Sequence, residues 1–214
     1  MIRQATKQDL PAIAEIHRIC FPNSYSAQLC RFNGILGGGN LLVTFYWEYL
    51  RVHPELFMVA EDEKKQIIGF CMGYYMDREP PMQQFLKHKR LRILWKTILL
   101  MLAGNKETWN KMLSRFRHTP SLSDWKIVND KYEYILDNER GDLLSVCLLP
   151  PYRGKGYSQD LMEAYLDSMK SYGRKLCLLS VKTENMRARR YYERNGFELY
   201  RTRGDEGLTY MKLL

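Results

Sequence analysis

"PPYRGKGYSQDLM", residues 150–162, follows directly on the apolar run "LLSVCLL" and opens an amphipathic segment. A surface turn needs a glycine; this one has Gly154 and Gly156, interleaved with the cations Arg153 and Lys155. A helix opening at Gly156 leaves its first backbone N–H groups without intrahelical partners, pointing past the end of the preceding strand. Glycine admits a close approach to the backbone, and the helix dipole favours an anion at that end. The composition suits a diphosphate. It also suits a plain strand-to-helix turn with solvated cations, and this stretch alone does not separate the two. Counting excludes two nucleotide motifs: a G-x-G-x-x-G fingerprint would need glycine where Gln159 stands, and the Walker spacing with its Lys-Ser or Lys-Thr is absent.

The second informative stretch is "NMRARRYYERNGF", residues 185–197. Asn185, Ala188 and Tyr192 fall at i, i+3 and i+7, on one face of a helix that Gly196 ends before Phe197 starts a strand. An amide, a small residue and a phenol on one face suit a ligand beside the turn. A core tyrosine with a satisfied hydroxyl would read the same way.

Around these stretches the chain alternates. "MIRQAT" reads as a strand, and Thr6 with Asp9 caps a helix carrying Leu10, Ile13, Ile16, His17 and Cys20 up to Pro22. "LGGGN" is a loop, "NLLVTFYWEYLRVHP" a helix, and "ELFMVAEDEKKQIIGFCMGYYM" a hairpin. "KYEYILD" and "GDLLSVCLL" predict strands, followed by a helix from about Tyr157 to Tyr172, the strand "KLCLLSV", the 185–195 helix, and the strands "FELYRTR" and "LTYMKLL". The order predicts an α/β chain with a mixed central sheet flanked by helices.

The 214 residues, 45% hydrophobic and 27% charged, suffice for one domain with a sizeable insertion. Five cysteines, an odd number without C-x-x-C spacing, read as buried thiols in a reducing compartment; four scattered histidines argue against a metal. No signal-peptide layout opens the chain, and no apolar run nears the roughly 20 residues of a membrane span, so a cytoplasmic protein is expected. The net charge of +9 favours anionic partners.

Together the two stretches resemble the GNAT superfamily of acyl-CoA N-acyltransferases. The family's Arg/Gln-x-x-Gly-x-Gly/Ala turn is met by Arg153, Gly156 and, with a mild departure, Ser158; N-x-x-A-x-x-x-Y-x-x-x-G-F is met throughout. "IRQATKQDL" and "VAEDEKKQIIGF" look like the family's first strand and central hairpin, so the likeness covers roughly 1–76 and 130–214. It implies a GNAT fold, acetyl-CoA as cosubstrate without metal, and a primary amine as acceptor. Backbone groups around Leu148, Leu149 and Pro150 would hold the pantetheine arm, and amides of Gly154, Lys155, Gly156, Tyr157 and Ser158, beside Arg153, the diphosphate. Asn185 would orient the pantetheine and Tyr192 would sit at the thioester sulfur. Strand alternation from Leu148 back through Val146 and Leu144 offers Asp142 as the base, with Glu133 as the other candidate.

From about 79 to 130 the family core is interrupted by a basic helical insertion. Between Phe85 and His118 nine Lys or Arg face one acid, Glu107, with Leu91, Leu94, Trp95, Ile98 and Leu102 as an apolar stripe. It reads as a helical pair packed on the core, as a cationic lid over a phosphorylated acceptor, or as peripheral contact with an anionic membrane through 86–102. No nucleic-acid motif accompanies it, so nucleic acid is not the expected partner. The segment "FPNSYSAQLCRFNGILGGGNLLVTFYWEYL" is loosely similar to GNAT proteins of bacterial surface-polysaccharide pathways, which implies an amino-sugar or sugar-nucleotide acceptor. A small amine or a protein amine is the alternative, and a silent acyl-CoA sensor or membrane adaptor the reading from another class. Turnover distinguishes the last.

Overall fold

A computed structural model describes residues 1–30, 40–103, 126–203 and 207–214. In chain order the elements are β1 (Ile2–Gln4), α1 (Leu10–Cys20), α2 (Tyr25–Leu29), α3 (Leu41–Val52), β2 (Phe57–Glu61), β3 (Ile67–Tyr75) and α4 (Pro81–Leu102). After them come β4 (Lys126–Ile127), β5 (Arg140–Leu148), α5 (Tyr157–Ser171), β6 (Leu176–Val181), α6 (Met186–Arg194), β7 (Glu198–Arg203) and β8 (Gly207–Leu213). The glycines of the 36–40 loop and the helix expected over 107–118 lie outside the described residues.

Local chemistry sets the helix ends. The Asp9 carboxylate accepts from the Thr6 backbone N–H at 2.7 Å and its hydroxyl at 2.9 Å, which forms one 3-10 turn ahead of α1. Arg3 clamps that carboxylate at 2.8 and 2.9 Å and so ties the turn to β1. The Asn40 side chain caps α3 by accepting from the Leu42 N–H at 3.0 Å.

The strands form one mixed sheet in the order β1-β2-β3-β5-β6-β8-β7-β4, antiparallel except for the parallel pair β5–β6. One face is covered by α5, whose Leu161, Met162, Tyr165 and Met169 are buried against Ile68, Cys71 and Tyr75. The other is covered by α1 and α3, with Ile13, Leu42, Tyr46 and Tyr49 against Phe57, Val59, Phe70 and Met72. Each fully buried large side chain contributes ~1.5–3 kcal/mol.

One expectation needs correction. The strand expected over 131–137 is instead a run of turns ending in a 3-10 turn at Asp137–Glu139. Ile135 is buried against Leu176, Leu178 and Met211, while Tyr134 and Leu136 are exposed. The start of β5, just after this segment, is paired on both sides, with β3 and with β6 over Arg140–Leu143. A separate finding concerns α4. Its packed side is Phe85, Ile93 and Leu100 against Leu29, Leu41, Tyr25 and Phe45. Leu91, Leu94, Trp95 and Leu102 stand outward at 72, 54, 55 and 79% exposure. The apolar stripe is therefore the solvent side of the helix, beside the exposed Lys87 and Arg90. No described helix is long and apolar enough to cross a membrane.

The pairing of β3 with β5 is irregular at one place. Met72 faces Ser145 and Gly73 faces Leu143, so Leu144 is an extra residue, bulged out and 41% exposed. Opposite the bulge the Tyr165 hydroxyl donates to the Asp142 carbonyl at 3.0 Å. A Cβ on Gly73 would lie 2.0 Å from both of those oxygens. Gly73→Ala is therefore expected to destabilise the fold by about 3 kcal/mol, measured by urea unfolding; a loss under about 0.5 kcal/mol would show that the bulge yields.

Candidate active site

The bulge is followed by a parting of strands. β5 pairs with β6 only from Arg140↔Leu176 to Leu143↔Leu179. Beyond that point β5 stays with β3 as far as Gly69↔Leu148, while β6 stays with β8 as far as Val181↔Leu208. A wedge opens between them, and a cavity of about 530 Å³ fills it. Its walls include Val146, Cys147 and Leu148 of β5, Arg153, Gly154 and Ser158 of the turn, and Asn185, Ala188, Tyr191 and Tyr192 of α6 and its cap. Two stretches far apart in sequence therefore meet on one cavity.

The turn has the form its composition predicts. Gly154 and Gly156 have φ of +77° and +89°, and a Cβ on either would meet nothing within 4 Å. Conformation, not space, demands glycine there. α5 starts at Tyr157 with no side-chain cap, so the Tyr157 and Ser158 amides have no helical acceptor, and Ser158 lines the cavity.

The side chains of the turn are held differently from expectation. Arg153 folds back: its Nε donates to the Leu148 carbonyl at 2.9 Å, and its Nη2 lies 3.8 Å from Cys20 Sγ. The Lys155 ammonium sits 5.5 Å over the Tyr152 ring. The Leu148 carbonyl also accepts from the Cys20 thiol at 3.5 Å, and the Leu149 N–H donates to the Ile68 carbonyl at 2.9 Å. These two backbone groups are engaged within the protein. The unpaired edge of β5 is instead its Leu144–Cys147 stretch, freed by the departure of β6.

On α6 the Asn185 side chain accepts from the Ala188 N–H at 3.1 Å, so it caps the helix as well as lining the cavity. The Tyr192 hydroxyl makes no hydrogen bond among the described residues, unlike a core tyrosine satisfied within the protein. Burial pushes it well above the ordinary tyrosine range, so it keeps its proton. Residues that the motifs did not single out complete the walls. Arg187 and Arg194, seven apart on α6, stand exposed at the rim. The Tyr191 hydroxyl crosses to α5 and donates to the Ser158 carbonyl at 2.5 Å. The spacing of Arg187 and Arg194 was visible in "NMRARRYYERN"; no sequence signal marked Tyr191. Three arginines and no carboxylate line the cavity among the described residues.

Asp142 is not among them. Strand alternation does not carry from Val146 to Asp142, because the extra residue Leu144 shifts the register by one. Val146 faces Cys71 on the α5 side, whereas Asp142 faces Tyr74 and Leu178 on the opposite side of the sheet. Glu133 lies exposed in the 131–137 turns. Pro150, Lys155, Gly156 and Tyr157 belong to the turn without lining the cavity.

Residues 124–197 match the acetyltransferase (GNAT) family model, a span that contains the turn, α5, β6 and α6. That span is about a third of the chain and resembles GNAT acetyltransferases. The GNAT fold extends over the rest. Ard1 from Thermoplasma volcanium superposes with a TM-score of 0.55 at 15% identity, over 100% of this chain and 97% of that one. PaiA N-acetyltransferase from Thermoplasma acidophilum, solved in complex with coenzyme A, gives 0.55 at 17% identity, over 100% and 98%. By sequence, N-alpha-acetyltransferase 30 of Schizosaccharomyces pombe is 36% identical over 62 residues, which are 29% of this chain and 41% of that protein. The match thus spans less than half the length of that relative.

Burial holds the Asp142 carboxyl near 6, against the pull of Arg140 and Arg201 towards lower values. The folded chain therefore binds more protons than the unfolded one between about pH 4 and 6, and this residue's contribution to stability falls as pH rises through that window. Asp142→Asn should stabilise the protein by about 2 kcal/mol at pH 7 and lose that advantage at pH 4. Denaturant titrations at the two pH values check this; equal stability of both forms at pH 7 would overturn the shift.

Proposed function

We propose that the chain transfers the acetyl group of acetyl-CoA to a primary amine. The observation that carries this reading is the wedge between β5 and β6, closed at one end by the turn and lined by arginines without an acid. Its residues fit coenzyme A. The unpartnered amides of Tyr157 and Ser158, with the open backbone at Gly154 and Gly156, suit a diphosphate. Arg187 and Arg194 at the rim suit further phosphate, and the free edge Leu144–Cys147 suits an arm bound like an added strand.

Bound there, acetyl-CoA would supply an activated acyl group open to direct attack by the amine. Holding both reactants together is worth about 7–11 kcal/mol of barrier. Tyr192, which lines the cavity and keeps its proton, would donate to the departing sulfur. Among the described residues no carboxylate lines the wall, which supports water as the acceptor of the amine proton.

The acceptor class we favour is the α-amino group of a polypeptide, supported by the partial likeness to an N-alpha-acetyltransferase. The amino-sugar acceptor expected from the 21–50 segment draws no support from these relatives, and the glycines of that segment lie outside the described residues. Release of CoA thiol across peptides, amino sugars, sugar nucleotides and polyamines tests both readings. Turnover with peptides alone is the expected result. Turnover with amino sugars alone would overturn the acceptor, and silence with intact acetyl-CoA binding would make the chain a sensor.

Tyr192→Phe is expected to lower kcat roughly 10- to 100-fold while changing KM for acetyl-CoA by less than about threefold. Equal turnover of both forms would remove Tyr192 from the mechanism. Gly156→Val forces a β-branched side chain to a φ of +89° and should abolish CoA binding in a calorimetric titration. Retained affinity would contradict the placement of the diphosphate.

A further inference from the structure

α4 carries apolar residues on two sides, and only one side is enclosed. Phe85, Ile93 and Leu100 pack on α2 and α3. Leu91, Leu94, Trp95, Ile98 and Leu102 recur at i, i+3, i+4, i+7 and i+11, so they line the opposite side; all but the half-buried Ile98 are exposed. Lys87 stands on that side one turn before Leu91, and Arg90 flanks it one turn before Leu94; both are exposed. The helix has 22 residues, with five Lys or Arg and no Asp or Glu. An exposed apolar patch rimmed by charge marks an interaction surface. None of these residues lines the cofactor cavity.

We infer that α4 lies flat in the surface of an anionic membrane, with its outward stripe at the boundary of headgroups and acyl chains and Lys87 and Arg90 against lipid phosphate. Charge selects this occupant. A helix with cations and no acid matches a surface of the opposite sign. A second copy seated on the same face would bring two acid-free basic helices together, with no carboxylate of α4 to pair their cations. The indole of Trp95, near the middle of the stripe, suits the same boundary, because its ring is apolar and its N–H donates to a polar group. An interfacial helix of this kind needs one apolar stripe and flanking cations, and it rests in the plane of the surface. The other side of α4 stays packed on α2 and α3, so docking requires no part of the fold to open. It also requires nothing of the cofactor cavity, and so stands or falls apart from acetyl transfer.

The full chain is mixed with vesicles of phosphatidylcholine, either alone or with about 30% phosphatidylglycerol, and bound protein is separated by flotation. Binding to the anionic vesicles should be at least about tenfold tighter than to the neutral ones and should weaken as salt rises. Leu91→Gln with Leu94→Gln, and separately Lys87→Glu with Arg90→Glu, should each weaken it by at least about tenfold. All four side chains are exposed, so unfolding midpoints near the parent's are expected for both pairs. Lipids brominated in their acyl chains should quench the tryptophan emission of the parent more than that of Trp95→Phe. No preference for anionic vesicles, binding untouched by either pair of substitutions, or equal quenching in Trp95→Phe would overturn the membrane. Self-association without vesicle binding, abolished by Leu91→Gln with Leu94→Gln, would overturn it in favour of a second copy on this face.

Discussion

A single surplus residue in β5 governs the geometry of the site. Leu144 has no partner on β3, so the strand changes register in mid-course. On one side of it β5 runs paired with both neighbours; on the other it keeps β3 and releases β6. Gly73 makes room for this, since the Tyr165 hydroxyl and Asp142 carbonyl meet where a Cβ would be. A parallel pair that separates within a sheet leaves backbone groups unpaired on one edge, and unpaired groups that are not exposed need a partner. The wedge is the place where this sheet leaves such an edge open.

What lines the wedge follows from connection lengths. The chain leaves the end of β5, makes one glycine-bearing turn and enters α5, so helix amides stand at the mouth. It leaves β6 and enters α6 after a short turn capped by Asn185, so the Tyr191–Tyr192 pair stands across from them. Both contributions are local to a strand-to-helix junction. A ligand with a phosphate at one end and an extended arm at the other meets both without any long loop being recruited.

That locality explains what could be read from sequence. The Arg153–Ser158 turn and the Asn185–Phe197 helix are short-range patterns whose residues act where they stand, and both took the predicted form. The order of strands and helices followed for the same reason, apart from residues 131–137. There, aromatic and aliphatic residues in sequence looked like a strand, but only Ile135 of the segment is buried, against Leu176, Leu178 and Met211, and its neighbours Tyr134 and Leu136 turn outward. Asp142 falls on the opposite side of the sheet from Val146 because of a bulge, a property of pairing that is invisible along one strand. The orientation of α4 was hidden because apolar residues occur on both its sides; only contact with α2 and α3 selects which side packs. Cys20 was read only as part of the apolar face of α1, because Leu148 and Arg153, which approach it, lie more than a hundred residues away in sequence.

The bond from the Tyr191 hydroxyl to the Ser158 carbonyl has a thermodynamic consequence. The two walls of the wedge are joined at its apex by the ladder from Arg140 to Leu143, and at its mouth by this bond. A gap fastened at both ends holds its width without an occupant. The entropy of fixing the walls is lost when the chain folds rather than when a ligand arrives, so more of the contact energy remains as affinity.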